Sequence, residues 1–154
     1  MPARCRLLRV ALLLLLLVAG GCAAFPQIVI HDDPLTPEEH LKLGMAYESN
    51  KETERAVAEY ELAARKVPLA YLYLGNALVG MGKLAEAEDA YRAGQKQMPD
   101  NTEVLNNLAW LLYTRKKALP EAEKLAARAV SLEPGRAAFK DTLAAIRALR
   151  AAGN

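Results

Sequence analysis

The chain reads as an all-α solenoid, about three stacked helical hairpins closed by a C-terminal capping helix. The first observation behind that reading is repetition. Leu43-Gly44, Tyr47, Ala56, Tyr60 and Pro68 return as Leu74-Gly75, Leu78, Ala87, Tyr91 and Pro99, and again as Leu108-Ala109, Leu112, Ala122, Ala126 and Pro134. Gly44 to Gly75 is 31 residues, Gly75 to Ala109 is 34, and Pro99 to Pro134 is 35. A unit of that length cannot bury its own apolar face and must stack on the next. The second observation is punctuation, since Pro68, Pro99 and Pro134 each close a hairpin. The third is composition: 154 residues, 53% hydrophobic and 25% charged, suit packed helices and neither a disordered nor a disulfide-stapled chain.

The elements follow in order. Arg4, Arg6 and Arg9 precede the apolar run Val10 to Ala19, then Gly20-Gly21 and Cys22. A positive start, a short apolar stretch and a small-residue end make residues 1–21 an export signal. The run is shorter than the roughly 20 residues that a membrane span needs. Removing those three arginines leaves 17 of the 20 basic residues against 18 acidic ones, a net charge of −1. With no basic stripe, nucleic acid is not an expected partner. Residues 22–35 form a tether, broken by Pro26 and Pro34. Within it Ile28-Val29-Ile30 has two open readings, packing on the stack or offering a strand to a partner. His31-Asp32-Asp33 carries metal-capable groups, but three adjacent residues cannot surround an ion, and no metal or other cofactor is expected.

Residues 36–154 hold the repeats, about 37–68, 69–101 and 102–135, with a cap at 136–151. Thr36-Pro37-Glu38-Glu39 announces the first helix with an N-cap Thr, a Pro at the first position and a Glu three residues after the cap. The spacing predicts helices at about 37–49, 53–66, 69–81, 84–97, 102–115, 120–132 and 136–151. Gly80-Met81-Gly82 turns the second hairpin. Pro120 with Glu121 and Glu123 opens the sixth helix, and Arg115-Lys116-Lys117 complements the negative end of the fifth. Glu86-Ala87-Glu88-Asp89 reads as solvated outer surface. Pro68 to Gly75 is three residues shorter than Pro99 to Ala109, which predicts a tight turn between the first and second repeats.

These residues resemble the tetratricopeptide repeat family, whose pattern is W-x₂-L-G-x₂-Y, A-x₃-F and P. The first repeat departs at His40, where the family has a large aromatic, and has Tyr60 for Phe. The second keeps Tyr71 but has Leu78 for Tyr and Gly94 for Ala; the third is weaker, with Leu105, Ala109 and Ala126. The small residues at 44, 75 and 109 then admit a close helix partner, Ala56, Ala87 and Ala122 match them, and Tyr60 and Tyr91 fill wedges between repeats. Leu143-Ala144 begins a fourth copy of one helix, which Arg136, Lys140, Arg147 and Arg150 suit as a polar cap. Separately, Val18-Ala19-Gly20-Gly21-Cys22 resembles the lipobox of bacterial lipoproteins. That resemblance implies a lipidated Cys22 as first mature residue. With Ala23 after it, sorting points to an outer membrane facing the periplasm.

The tetratricopeptide resemblance also implies a concave groove lined by the first helix of each pair. Helical spacing turns Leu41, Met45 and Glu48 toward it, with Leu72, Asn76 and Val79, with Asn106, Trp110 and Tyr113, and with Asp141 of the cap. Trp and Tyr are common interface anchors, so a peptide or protein segment is the expected partner. The carboxylate clamp of some family members is missing, because Leu41, Met45, Asn106 and Trp110 hold its positions. No nucleophile motif, phosphate loop or metal spacing supports an enzyme. Two roles stay open: a membrane-anchored adaptor in envelope, secretion or polysaccharide-export assembly, or a self-associating envelope lipoprotein whose groove holds a neighbouring copy.

Overall fold

A computed structural model describes residues 33–153, so the export signal, Cys22 and most of the tether lie outside the described residues. Residues from Leu35 onward form one compact unit. Seven helices fill it: α1 (Pro37–Ser49), α2 (Thr53–Ala64), α3 (Ala70–Gly80), α4 (Leu84–Gln97), α5 (Thr102–Thr114), α6 (Leu119–Leu132) and α7 (Ala137–Ala152). Each helix packs on the next in the chain, and α5 also reaches α7. That nearest-neighbour pattern is what a solenoid requires.

The start of α1 is built as its residues dictate. The Thr36 hydroxyl accepts from the Glu39 backbone N–H, and the Glu39 carboxylate accepts from Thr36 N–H at 2.7 Å. All three hairpins turn in the same way, through a left-handed residue at the same repeat position: Lys51 (φ 64°), Gly82 (φ 75°) and Lys116 (φ 50°). In each, the next N–H bonds back to the carbonyl five residues earlier, as in Glu52 to Tyr47, Lys83 to Leu78 and Lys117 to Leu112, all 2.9 Å. Only Gly82 has the residue type that announces such a turn.

The tight join expected between the first and second repeats takes another form. The turn 65–69 is five residues long; what shortens the second repeat is α3, which starts five residues before Gly75 where α5 starts seven before Ala109. The turn itself is wound by three successive short-range bonds, Ala70 to Val67, Tyr71 to Pro68 and Leu72 to Leu69.

Packing inside each hairpin centres on a glycine and a tyrosine. A Cβ on Gly44 would lie 2.5 Å from the Tyr60 ring, and one on Gly75 would lie 2.5 Å from Cδ1 of Tyr91. Both tyrosines are buried. They therefore seat on their own hairpin's glycine before filling any wedge, although Tyr60 also lies 5.7 Å from the Tyr73 ring of the next repeat. In the third repeat both partners change together, to buried Ala109 and Ala126. His40, standing where the family has an aromatic, is buried, and its ring Nδ1 donates to the Glu59 carboxylate of α2 at 2.6 Å.

The seams between repeats differ. The first is apolar, with Tyr60 against Tyr73 and Leu41 and Tyr47 packed onto the common core. The second is laced with charge. Glu88 of α4, expected on a solvated face, is only 5% exposed, because Arg92, Arg115 and Lys117 converge on it. Arg115 and Lys117 thus reach across to α4 rather than merely facing the end of α5. Arg92 also makes a two-pronged pair with Glu121 of α6 at 2.6 and 3.0 Å. At the cap, Arg147 and Arg150 both bind Glu123 of α6, while Arg136 pairs with Glu103 and covers the Phe139 ring at 5.0 Å. Of the four basic residues expected on the outer face, three tie α7 to the stack.

Candidate functional site

The first helices of the pairs, α1, α3, α5 and α7, carry the residues assigned to the groove. Met45 on α1 and Trp110 on α5 are each 43% exposed, the most of any large apolar side chain among the described residues. Leu41, Val79 and Tyr113 are half-buried and pack against the core; Asn76 and Asp141 are exposed. Leu72 and Asn106 differ from expectation, each being only 9% exposed. The reason is crowding near the start of each helix. Leu72 joins the main core cluster, and α5 is packed by α4, α6 and α7 together. The open surface therefore runs along the later halves of α1, α3 and α5, through Met45, Asn76, Val79, Trp110 and Tyr113.

A polar node holds the middle of this surface. Asn76 Oδ1 accepts from the Tyr91 hydroxyl at 2.7 Å and from Asn107 Nδ2 at 2.9 Å, linking α3, α4 and α5. Burial pushes the Tyr91 hydroxyl up to about 12, so it stays a donor at any physiological pH. One repeat earlier the Tyr60 hydroxyl plays the same part, donating to the Glu48 carboxylate at 2.7 Å, and burial with that carboxylate raises it further. Asn107 was not among the residues expected here. Nothing in the repeat pattern marks it, because Asn76 and Asn107 hold different repeat positions, one residue after Gly75 and two before Ala109. Asn106 Oδ1 has no hydrogen-bond partner among the described residues.

A cleft of about 580 Å³ lies elsewhere, bounded by Gln95 of α4, Leu105 of α5, and Leu125 and Arg128 of α6. Among the described residues no group of three His, Cys, Asp or Glu side chains could hold a metal ion, and no helix is long and apolar enough to cross a membrane.

The fold is similar to that of solved tetratricopeptide repeat (TPR) domains. The first TPR of Spaghetti (RPAP3), bound to the HSP90 peptide SRMEEVD, superposes with a TM-score of 0.70 at 21% identity, covering 79% of this chain and 98% of that one. The second TPR domain of human RPAP3, in complex with the HSP70 peptide SGPTIEEVD, gives 0.65 at 18% identity, covering 73% and 98%. The Arabidopsis OM64 TPR domain gives 0.66 at 18% identity, covering 72% and 93%. At such identities the likeness establishes the fold alone. No curated protein matches the chain. The family model for the tetratricopeptide repeat matches residues 72–152, from the second repeat through the cap and just over half of the sequence. The chain belongs to the tetratricopeptide repeat family.

Proposed function

We propose that the protein is a non-catalytic interaction scaffold that holds a peptide or protein segment along α1, α3 and α5. The observation that carries this reading is that the two most exposed large apolar side chains among the described residues, Met45 and Trp110 at 43% each, hold the same repeat position, directly after Gly44 on α1 and Ala109 on α5. Asn76 between them supplies a polar group for orientation. Two of the solved neighbours hold peptides, which favours the same use of the fold here. The lipobox-like end of the export signal supports anchoring through Cys22, at an outer membrane facing the periplasm, within reach of envelope assemblies. Stable anchoring needs more than one acyl chain, which the lipoprotein pattern implies.

Two experiments test the parts separately. Partners captured from envelope extracts by the full chain should be retained at least roughly thirtyfold less well by Trp110→Ala, the loss of a tryptophan hot spot of about 2 kcal/mol. Equal capture by both proteins would count against the groove. Labelling cells with a fatty acid should mark the wild-type chain and not Cys22→Ser; label on the variant would remove the anchor.

A further inference from the structure

The groove's charge points to the kind of segment it takes. The helix at its centre, α3, has the sequence AYLYLGNALVG and carries no charge. The one charged residue of α5 is Glu103, and Arg136 already pairs with it. Two exposed carboxylates lie on the helices either side of this uncharged middle, Glu48 on α1 and Asp141 on α7. Neither has an ion pair among the described residues; they share that with Glu38, Glu54, Glu61 and Asp89, and differ from Glu54, Glu61 and Asp89 in lying on the helices that carry the groove. Glu48 is also held in place, since one of its oxygens accepts from the buried Tyr60 hydroxyl. The nearest basic residues on the same helices, Lys42 and Lys140, leave them about 100° or more around the axis from Glu48 and Asp141.

We propose that this surface selects an apolar segment of another protein that carries lysine or arginine, and rejects acidic ones. The proposal rests on the groove reading above and deepens it. Two separate features favour a cation. Carboxylates without a protein counter-ion gain a partner when a basic side chain binds, and repel an acidic one. The exposed indole of Trp110, with Tyr113 one turn away, offers an aromatic face over which an ammonium or guanidinium group can settle. Leucine, methionine or phenylalanine of the same segment would cover Met45 and Val79.

The test uses the full chain in non-ionic detergent micelles and its single tryptophan, Trp110, as the reporter. One probe is a short leucine- and phenylalanine-containing peptide with lysine at both ends; the other replaces the lysines by glutamate. The lysine peptide should shift Trp110 emission and bind at least roughly tenfold more tightly than the glutamate peptide. In the double variant Glu48→Gln with Asp141→Asn, both sites being exposed, the preference should fall to about twofold. Equal binding of the two peptides to wild type, or a preference that survives in the double variant, overturns the charge selection while leaving the groove. Trp110 emission unmoved by either peptide overturns both. A wild-type dimer that dissociates in the double variant, seen by light scattering, makes a second copy the occupant and also overturns the proposal.

Discussion

Gly75→Ala is expected to destabilise the protein by about 2–3 kcal/mol, while Gly80→Ala, on the same helix, is expected to stabilise it by about 0.5 kcal/mol. The two changes add the same methyl group and differ only in what it meets. Alanine favours a helix over glycine by up to about 1 kcal/mol at either place. At Gly80 nothing lies within 4 Å of the new Cβ, so that gain survives, reduced by the position at the helix end. At Gly75 the Cβ would sit 2.5 Å from Cδ1 and 2.8 Å from Cζ of Tyr91. The ring cannot step aside cheaply, because it is 2% exposed and its hydroxyl is bound to Asn76. Overpacking of this kind costs about 1–3 kcal/mol, and the displaced hydrogen bond adds about 1. Urea unfolding at unchanged slope gives both values. A Gly75→Ala protein as stable as wild type would refute the account. The third repeat shows the alternative, with buried alanine at both positions, Ala109 and Ala126. Accordingly, adding Tyr91→Ala to Gly75→Ala should cost less than the two single losses together, by about 1 kcal/mol or more.

This glycine–tyrosine pairing also shows where sequence reasoning reaches and where it stops. Residues whose role is local were legible: Thr36, Pro37 and Glu39 cap α1 because capping needs only neighbours along the chain. The seven helices fall within two residues of their expected bounds at each end, since apolar spacing and proline mark them directly. The turns were half legible, because Gly82 declares a left-handed conformation and Lys51 and Lys116 adopt it without declaring it. Roles that depend on a partner a repeat away were not legible. Glu88 sits in an acidic run that resembles solvated surface, and two of its three bound cations lie 27 and 29 residues downstream. Leu72 and Asn106 have the same helical phase as Leu41 and Asp141, yet the crowding of neighbouring helices decides that they are buried. The phase of a side chain is a property of its helix; its exposure is a property of the stack.

Glu88→Ala should remove about 2–3 kcal/mol at neutral pH, because it leaves Arg115 and Lys117 without their partner at the seam between the second and third repeats and takes from Arg92 one of its two carboxylates. The loss stays below that of a fully buried pair since Arg92, Arg115 and Lys117 keep part of their side chains in water. The seam includes a strained turn: Lys116 (φ 50°) and Ala118 (φ 45°) are non-glycine residues in the left-handed region, each costing of order 1 kcal/mol. Arg115 and Lys117, bound to Glu88, hold that turn against α4. The pH dependence has a definite sign. Burial alone would raise the Glu88 carboxyl, but hydrogen bonds from Lys117 and Arg92 and their charges outweigh it and hold it below the ordinary value of 4.5. Glu121 is lowered as well, chiefly by its hydrogen bond from Arg92. A group depressed in the folded state contributes its full stability above its unfolded value and loses it as pH falls through the folded one. Stability should therefore be level with respect to these carboxylates above about pH 6 and decline steadily below about pH 4.5. Glu88→Gln, which cannot ionise, should begin lower at neutral pH and fall less steeply in acid, so the two curves converge. Denaturant midpoints measured between neutral and acid pH would show this. Parallel curves would mean that Glu88 is not the group that couples this seam to protons.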